Sequence, residues 1–292
     1  RKKWKKNNRK STINFFLFIF YNINNFRINV NNNIYTSFSE GSDGLTRKTS
    51  ISAIKQTYTK LLSYTEFKDS ASYLTTLGDV LSQSISNPNY IEAQYNVLAG
   101  KIATEKDEIM IVVSSKQELT DLLLAQLGYY SEEEFLNLAY RSFESDDYNE
   151  ELDKDEFTFE ELLGKKFYYY PNDSVYELNT NAITQMAGVK FNYKAYADEL
   201  TGGLELKVVG ILQAKDNVSY GTLSNGFYFT EALTNYMLEA NKNSEIVNYL
   251  KDNELTAFND FTDMAHLNIV AYQYDYFDSF VDNERKTETG YV

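Results

Sequence analysis

The middle of the chain carries helix starts that can be read directly. Ser115-Lys-Gln-Glu118 is a capping-box pattern, in which Ser and Glu side chains satisfy free backbone N–H groups. Leu119, Leu122, Leu123 and Leu127 follow at helical spacing, and Gly128 marks the stop. Ser131-Glu-Glu-Glu134 repeats the box ahead of Phe135, Leu138 and Ala139. Thr158-Phe-Glu-Glu161 repeats it again before a single turn ending at Gly164. Asn192 is positioned to cap a helix through Leu200, ended by Gly202 and Gly203. Thr230 and Ser244 cap two more, with Leu233, Met237 and Ala240 on the first and Ile246, Tyr249 and Leu250 on the second.

Short β-rich runs lie between these helices. The clearest are 108–114 (EIMIVVS), 166–170 (KFYYY) and 204–212 (LELKVVGIL). The last alternates and then turns fully apolar, as a strand entering a core does. A weaker strand candidate covers 91–98. The aromatic and acidic span 254–292 fits neither period. The expected order, β-β-α-α-α-β-α-β-α-α, is mixed, and the predicted class is α+β, with room for two subdomains.

Charge changes the picture at the start of the chain. Seven of the 28 basic residues fall in positions 1–10 (RKKWKKNNRK), leaving 21 against 42 acidic residues in the rest. A basic start before the apolar run 15–21 has the grammar of a signal peptide or first membrane helix. The run is short of the ~20 apolar residues a span needs. An Asn-rich stretch follows it, and the first residue is Arg1. Residues 1–44 are therefore read as a basic terminus, a degraded membrane helix or signal, and a linker. The AT-rich codon bias of 7–36 makes a frame shift within 1–40 the expected cause. Residues 45–285 form the expected extracytoplasmic domain, and 286–292 a tail.

Composition narrows the chemistry. With no cysteine, disulfides, thiolate metal sites and a cysteine nucleophile are excluded. One histidine, His266, excludes multi-His metal sites and argues against a Ser-His-Asp triad. It reads as an ordinary half-buried residue, with pH sensing as the alternative. A net charge of −14 argues against nucleic acid as a partner. Gly100-Lys101 and Gly164-Lys165 lack the remaining P-loop positions, and neither GxGxxG nor GxSxG occurs. The acidic stretch 144–161 holds Glu144, Asp146, Asp147, Glu150, Glu151, Asp153, Asp155, Glu156, Glu160 and Glu161. Such oxygens can bind Ca²⁺, but no central Gly gives an EF-hand loop, and a solvated inter-helix loop is the plainer reading. Paired carboxylates for glycoside hydrolysis would depend on a spatial separation that the sequence does not give. The expectation is thus no catalytic residue, no cofactor and no metal site.

An ordered set of landmarks remains. It runs Tyr95-Asn-Val-Leu-Ala-Gly100-Lys101, Asp107-Glu108-Ile-Met-Ile-Val-Val113, Asp121, Leu127-Gly128, and Phe159-Glu-Glu-Leu-Leu-Gly164-Lys165. It continues with Leu204-Glu-Leu-Lys-Val-Val-Gly210-Ile211, Gly226-Phe-Tyr-Phe-Thr230 and Leu233-Thr-Asn-Tyr236. Over roughly residues 60–255 this order resembles the extracytoplasmic domain of MacB/FtsX-like ABC transporter permeases of low-GC Gram-positive bacteria. Lys101 stands where that family usually has Arg, and Ala103 where it usually has Pro. The membrane helices and the ATPase that accompany the domain are not in this sequence, so the chain reads as a permease fragment.

The resemblance implies a MacB-like fold on the extracellular face of the cell membrane. It implies a mechanical and recognitional role, coupling cytoplasmic ATP hydrolysis to export or extraction of a substrate, without catalysis. The implied partners are a second permease copy, an ATP-binding cassette subunit and a peptide, lipid or lipoprotein substrate. The acidic surface favours cationic ligands, including antimicrobial peptides. The rival readings are a secreted or cell-surface binding or adhesion module, and a carboxylate-dependent secreted hydrolase. The residues' own chemistry assigns the landmarks to fold-keeping: Gly100 to a positive-φ turn, Gly164 to a helix end, and Val208 and Val209 to a core strand.

Overall fold

The computed structural model describes residues 30–40, 45–76, 80–154, 156–182, 185, 190–198, 200–218 and 221–252. The basic start, the apolar run 15–21, His266 and the span 254–292 lie outside the described residues.

Within them the chain is α+β. It begins with α1 (Val30–Asn33), β1 (Ile34–Glu40) and β2 (Leu45–Ser50), then α2 (Ile51–Ser63) and α3 (Lys68–Thr76). Next come β3 (Leu81–Gln83), α4 (Pro88–Gln94), β4 (Tyr95–Gly100) and β5 (Glu108–Val113). The helices α5 (Asp121–Gln126), α6 (Glu132–Ser142) and α7 (Phe159–Gly164) lead to β6 (Lys166–Tyr169). After α8 (Asn172–Val175), β7 (Tyr176–Leu178) and β8 (Phe191–Tyr193) comes the longest strand, β9 (Leu204–Ala214). The described part closes with β10 (Gly226–Phe229), α9 (Glu231–Asn241) and α10 (Glu245–Asp252).

Eight strands form one mixed sheet in the order β2-β1-β6-β9-β5-β10-β3, with β4 also on β9, and β7-β8 form a separate hairpin pair. β9 organises the sheet. Its first half pairs antiparallel with β6, its second half pairs antiparallel with β4, and β5 runs parallel along its other side. The register slips at Val209 against β5 and at Leu98 within β4. A one-residue slip moves following side chains to the opposite face. That is why Leu206, Val208 and Ile211 all reach the same core despite their spacing.

Period-2 alternation divides the apolar side chains between the sheet's two faces. Ile109, Ile111, Val113, Phe227, Phe229, Phe167 and Phe38 join the main core, against Ile54, Tyr58, Leu62, Leu124, Leu127 and Phe135 of the helical layer. On the opposite face Met110, Val112, Leu212 and Tyr228 pack with Ile91 and Tyr95. Tyr35, Tyr170, Val175, Tyr176, Phe191 and Tyr193 pack with Ile246 and Val247.

Several expectations change. The Ser115–Glu118 box does not form. Ser114 Oγ instead accepts from Lys116 N and Glu118 N, and Gln117 sits at φ 63°. A left-handed residue cannot continue a helix, and a local Ser–backbone bond competes with helical pairing. The helix starts later, capped by Thr120 Oγ1 accepting from Leu123 N, and ends at Gly128 with φ +70°. Residues from Asn192 do not form a helix: Phe191–Tyr193 is a strand whose two aromatics enter the core while Asn192 faces outward. The candidate strand 91–98 is half helix, because Asn87 caps α4 with Pro88 in its first turn. Residues 34–40, read as part of the linker, form β1, in which Ile34, Tyr35 and Phe38 are buried.

Candidate functional site

The landmark residues, far apart in sequence, meet in pairs. At the end of β4, Gly100 has φ +69°, and Lys101 N donates to Val209 O at 2.8 Å. A Cβ on Gly100 would stand 1.9 Å from Val209 O, and one on Gly210 1.8 Å from Lys101 O. Both positions therefore require glycine, so that β4 can cross the bulge of β9 backbone to backbone.

The turn after this crossing is closed by charge. Glu108 opens β5 and is buried; its carboxylate pairs with the exposed Lys101 ammonium. Its Oε2 also accepts from Thr104 N at 2.9 Å and Glu105 N at 3.1 Å. Burial pushes the Glu108 carboxyl up, but Lys101 and the two N–H groups outweigh it and hold it below the usual range. Thr230 Oγ1 donates to Glu105 O at 2.9 Å, and Lys106 lies 4.6 Å over the Tyr236 ring. Four landmarks thus converge on the turn 101–107.

A second meeting joins the Leu-Gly pair to the Gly-Lys pair. Lys165 Nζ donates to Gly128 O, at the C-terminal end of α5, and to Ser37 O of β1 at 2.9 Å. The ammonium lies 5.2 Å from the Tyr129 ring centroid. Burial, aided by the charge of Lys154, lowers its pKa to about 8. Three elements are tied by this one cation, which satisfies helix-end carbonyls. In chemical terms it is a clamp on backbone oxygens.

The acidic stretch folds back onto α6. Arg141 Nη1 donates to both carboxylate oxygens of Asp153, at 2.7 and 2.8 Å, and Nη2 reaches Asp121 at 3.2 Å. Tyr148 OH donates to Asp153 at 2.7 Å. Asn137 receives Asn149 N at 2.8 Å and donates to Asn149 O at 2.9 Å. The Thr158 box holds Glu161, whose pKa falls to about 2 through the Thr158 N–H, the Thr158 hydroxyl and Lys154. Among the described residues, no three acidic or histidine side chains converge as a metal site.

Sequence reasoning missed the Asn-rich residues 31–33, which are buried. Asn33 Nδ2 donates to Tyr170 O at 2.9 Å and Asn172 Oδ1 at 3.0 Å. Asn172 N donates to Asn241 Oδ1 at 2.9 Å, and Asn241 Nδ2 to Tyr169 OH at 2.6 Å. Asn32 Nδ2 donates to Tyr176 OH at 2.7 Å. This polar seam joins α1, β6, α8, β7 and α9. The signal was the tyrosine count of 25, far more hydroxyls than a dry core could take without polar partners.

These clusters share one chemical character: apart from the buried Asn33 Oδ1, their hydrogen bonds run to backbone groups or to one another. No protein-family model, curated protein or solved structure matches the chain. No helix among the described residues is long and apolar enough to cross a membrane.

Proposed function

We propose that this chain is the extracellular domain of a MacB/FtsX-like ABC transporter permease, a unit that passes force and recognises a substrate without chemistry of its own. It would sit on the outer face of the cell membrane. The rest of the permease would link it to a second copy and to an ATP-binding cassette subunit, and its substrate would be an exported or extracted peptide, lipid or lipoprotein. One observation carries the reading. The motifs behind the resemblance are contacts of a single structural unit: Gly100 against Val209, Gly210 against Lys101, Lys101 with Glu108, and Lys165 with Gly128. A unit so cross-tied between distant parts of the chain suits load transfer. The polar side chains at these contacts are directed to backbone or to one another, which does not suit turnover.

A surface binding or adhesion module is the second reading, and the exposed aromatics Tyr64 and Phe143 favour it. Sequencing the DNA on both sides of the coding region separates the two. Membrane helices in the same frame downstream, with a cassette ATPase gene alongside, are expected. A cleavable signal before the domain, a stop directly after it and no cassette gene nearby would overturn the permease reading in favour of the module.

A further inference from the structure

The helices α2 and α6 pack side by side and run in the same direction. Tyr58 stacks on Phe135 at 3.8 Å, and just past the ends of both helices Phe67 stacks on Phe143 at 4.3 Å. Their C-terminal ends therefore meet at one place on the surface. There Tyr140 approaches the edge of Phe67 at 6.0 Å, and Ser145 Oγ donates to Glu66 at 3.2 Å. Phe67 packs against the main core, while Tyr64 is 66% exposed and Phe143 47%, so these two rings face solvent.

Acidic side chains outnumber basic ones at this place. The C-terminal ends of α2 and α6 lie there, and α3 begins there at Lys68. Glu66, Asp69, Glu144, Asp146 and Asp147 stand on the segments 64–69 and 140–147 that form it. The basic residues there are Lys68 and Arg141, and the Arg141 guanidinium is turned to Asp153 and Asp121. An exposed stacked aromatic group and an excess of negative charge thus coincide.

We propose that this end of the α2–α6 pair is a docking surface for a basic peptide segment of a partner, one carrying apolar or aromatic side chains beside Lys or Arg. The exposed faces of Tyr64 and Phe143 take the apolar side chains. The cations lie over ring faces and against the carboxylates. This surface stands whether or not the chain belongs to a permease, because it rests on the aromatic group and its charge alone.

The test uses the full chain and two synthetic peptides, acetyl-KLKFKLK-amide and its serine counterpart acetyl-KSKSKSK-amide, with binding followed by calorimetry at low and at physiological salt. The apolar peptide is expected to bind at least about tenfold more tightly than the serine peptide. Replacing Tyr64 and Phe143 together by Ser is expected to remove about tenfold in affinity with the circular dichroism unchanged. If that double variant unfolds, Glu66→Lys with Asp147→Lys, which keeps the aromatic stack, is expected to show the same loss. Equal binding of the two peptides would mean attraction by net charge alone and would overturn the proposal. Affinity unchanged in the folded aromatic variant, or in the charge variant, would also overturn it. A dimer of the chain abolished by the aromatic substitutions would assign the surface to a second copy instead.

Discussion

At the scale of single residues, glycines divide by what surrounds them. Gly164 ends α7 with nothing within 4 Å of where a Cβ would stand, whereas a Cβ on Gly210 would lie 1.8 Å from Lys101 O. Backbone atoms on both sides of the β4–β9 crossing cannot yield as a flexible side chain does. Gly210→Ala is expected to lower stability by roughly 3 kcal/mol, the upper part of the range for overfilled sites. Gly164→Ala is expected to leave stability unchanged or raise it by about 0.5 kcal/mol, through the unfolded chain. Urea midpoints of the two variants measure the contrast, and equal midpoints would remove the crossing from the account. Sequence showed both glycines but could not rank them, because the Gly210 contact comes from a strand over 100 positions away.

At the scale of elements, legibility followed how local the cause was. The boxes at Ser131 and Thr158 form as read, because the bonds that define them join residues three apart. The strands 108–114 and 204–212 were legible because apolar and β-branched residues run together in the first and first alternate, then run together, in the second. The Ser115 box failed although its letters are the same, since Gln117 takes a left-handed conformation and Ser114 closes a turn onto Glu118. The helix expected after Asn192 failed because pairing with β7 overrides a weak helical pattern. β1 was hidden behind an Asn-rich stretch in which the amide nitrogens of Asn32 and Asn33 donate to Tyr176, Tyr170 and Asn172, more than 130 positions away. The two Ser positions give a direct comparison. Ser131→Ala is expected to cost about 1 kcal/mol of stability, and Ser115→Ala less than about 0.5. Thermal midpoints of the two variants check this, and a comparable loss at Ser115 would mean that its box exists in solution.

At the scale of the whole molecule, the tyrosines that fill the cores set the response to pH. Burial raises the phenol pKa of Tyr35, Tyr58, Tyr129, Tyr169, Tyr176 and Tyr193. A raised folded pKa gives stability that is complete below the unfolded value, about 10 for Tyr, and lost as pH climbs beyond it. Lys165 acts in the opposite sense over an earlier window. Its folded pKa of about 8 lies below the unfolded lysine value. From there to about 10.4 the unfolded chain holds the extra proton, and stability rises slightly with pH. On the acid side, Glu108 and Glu161 have lowered pKa values, so their contribution is present above about 4.3 and lost as pH falls. For Glu161 that loss is complete only below about 2. The denaturant midpoint should therefore be level or slightly rising from pH 8 to about 10 and fall steeply above it as several phenols ionise together. Tyrosinate absorbance should then appear in step with loss of near-ultraviolet dichroism. A chain whose tyrosines all ionised near pH 10 while that dichroism persisted would not have the tyrosine-filled cores from which the α+β arrangement is built.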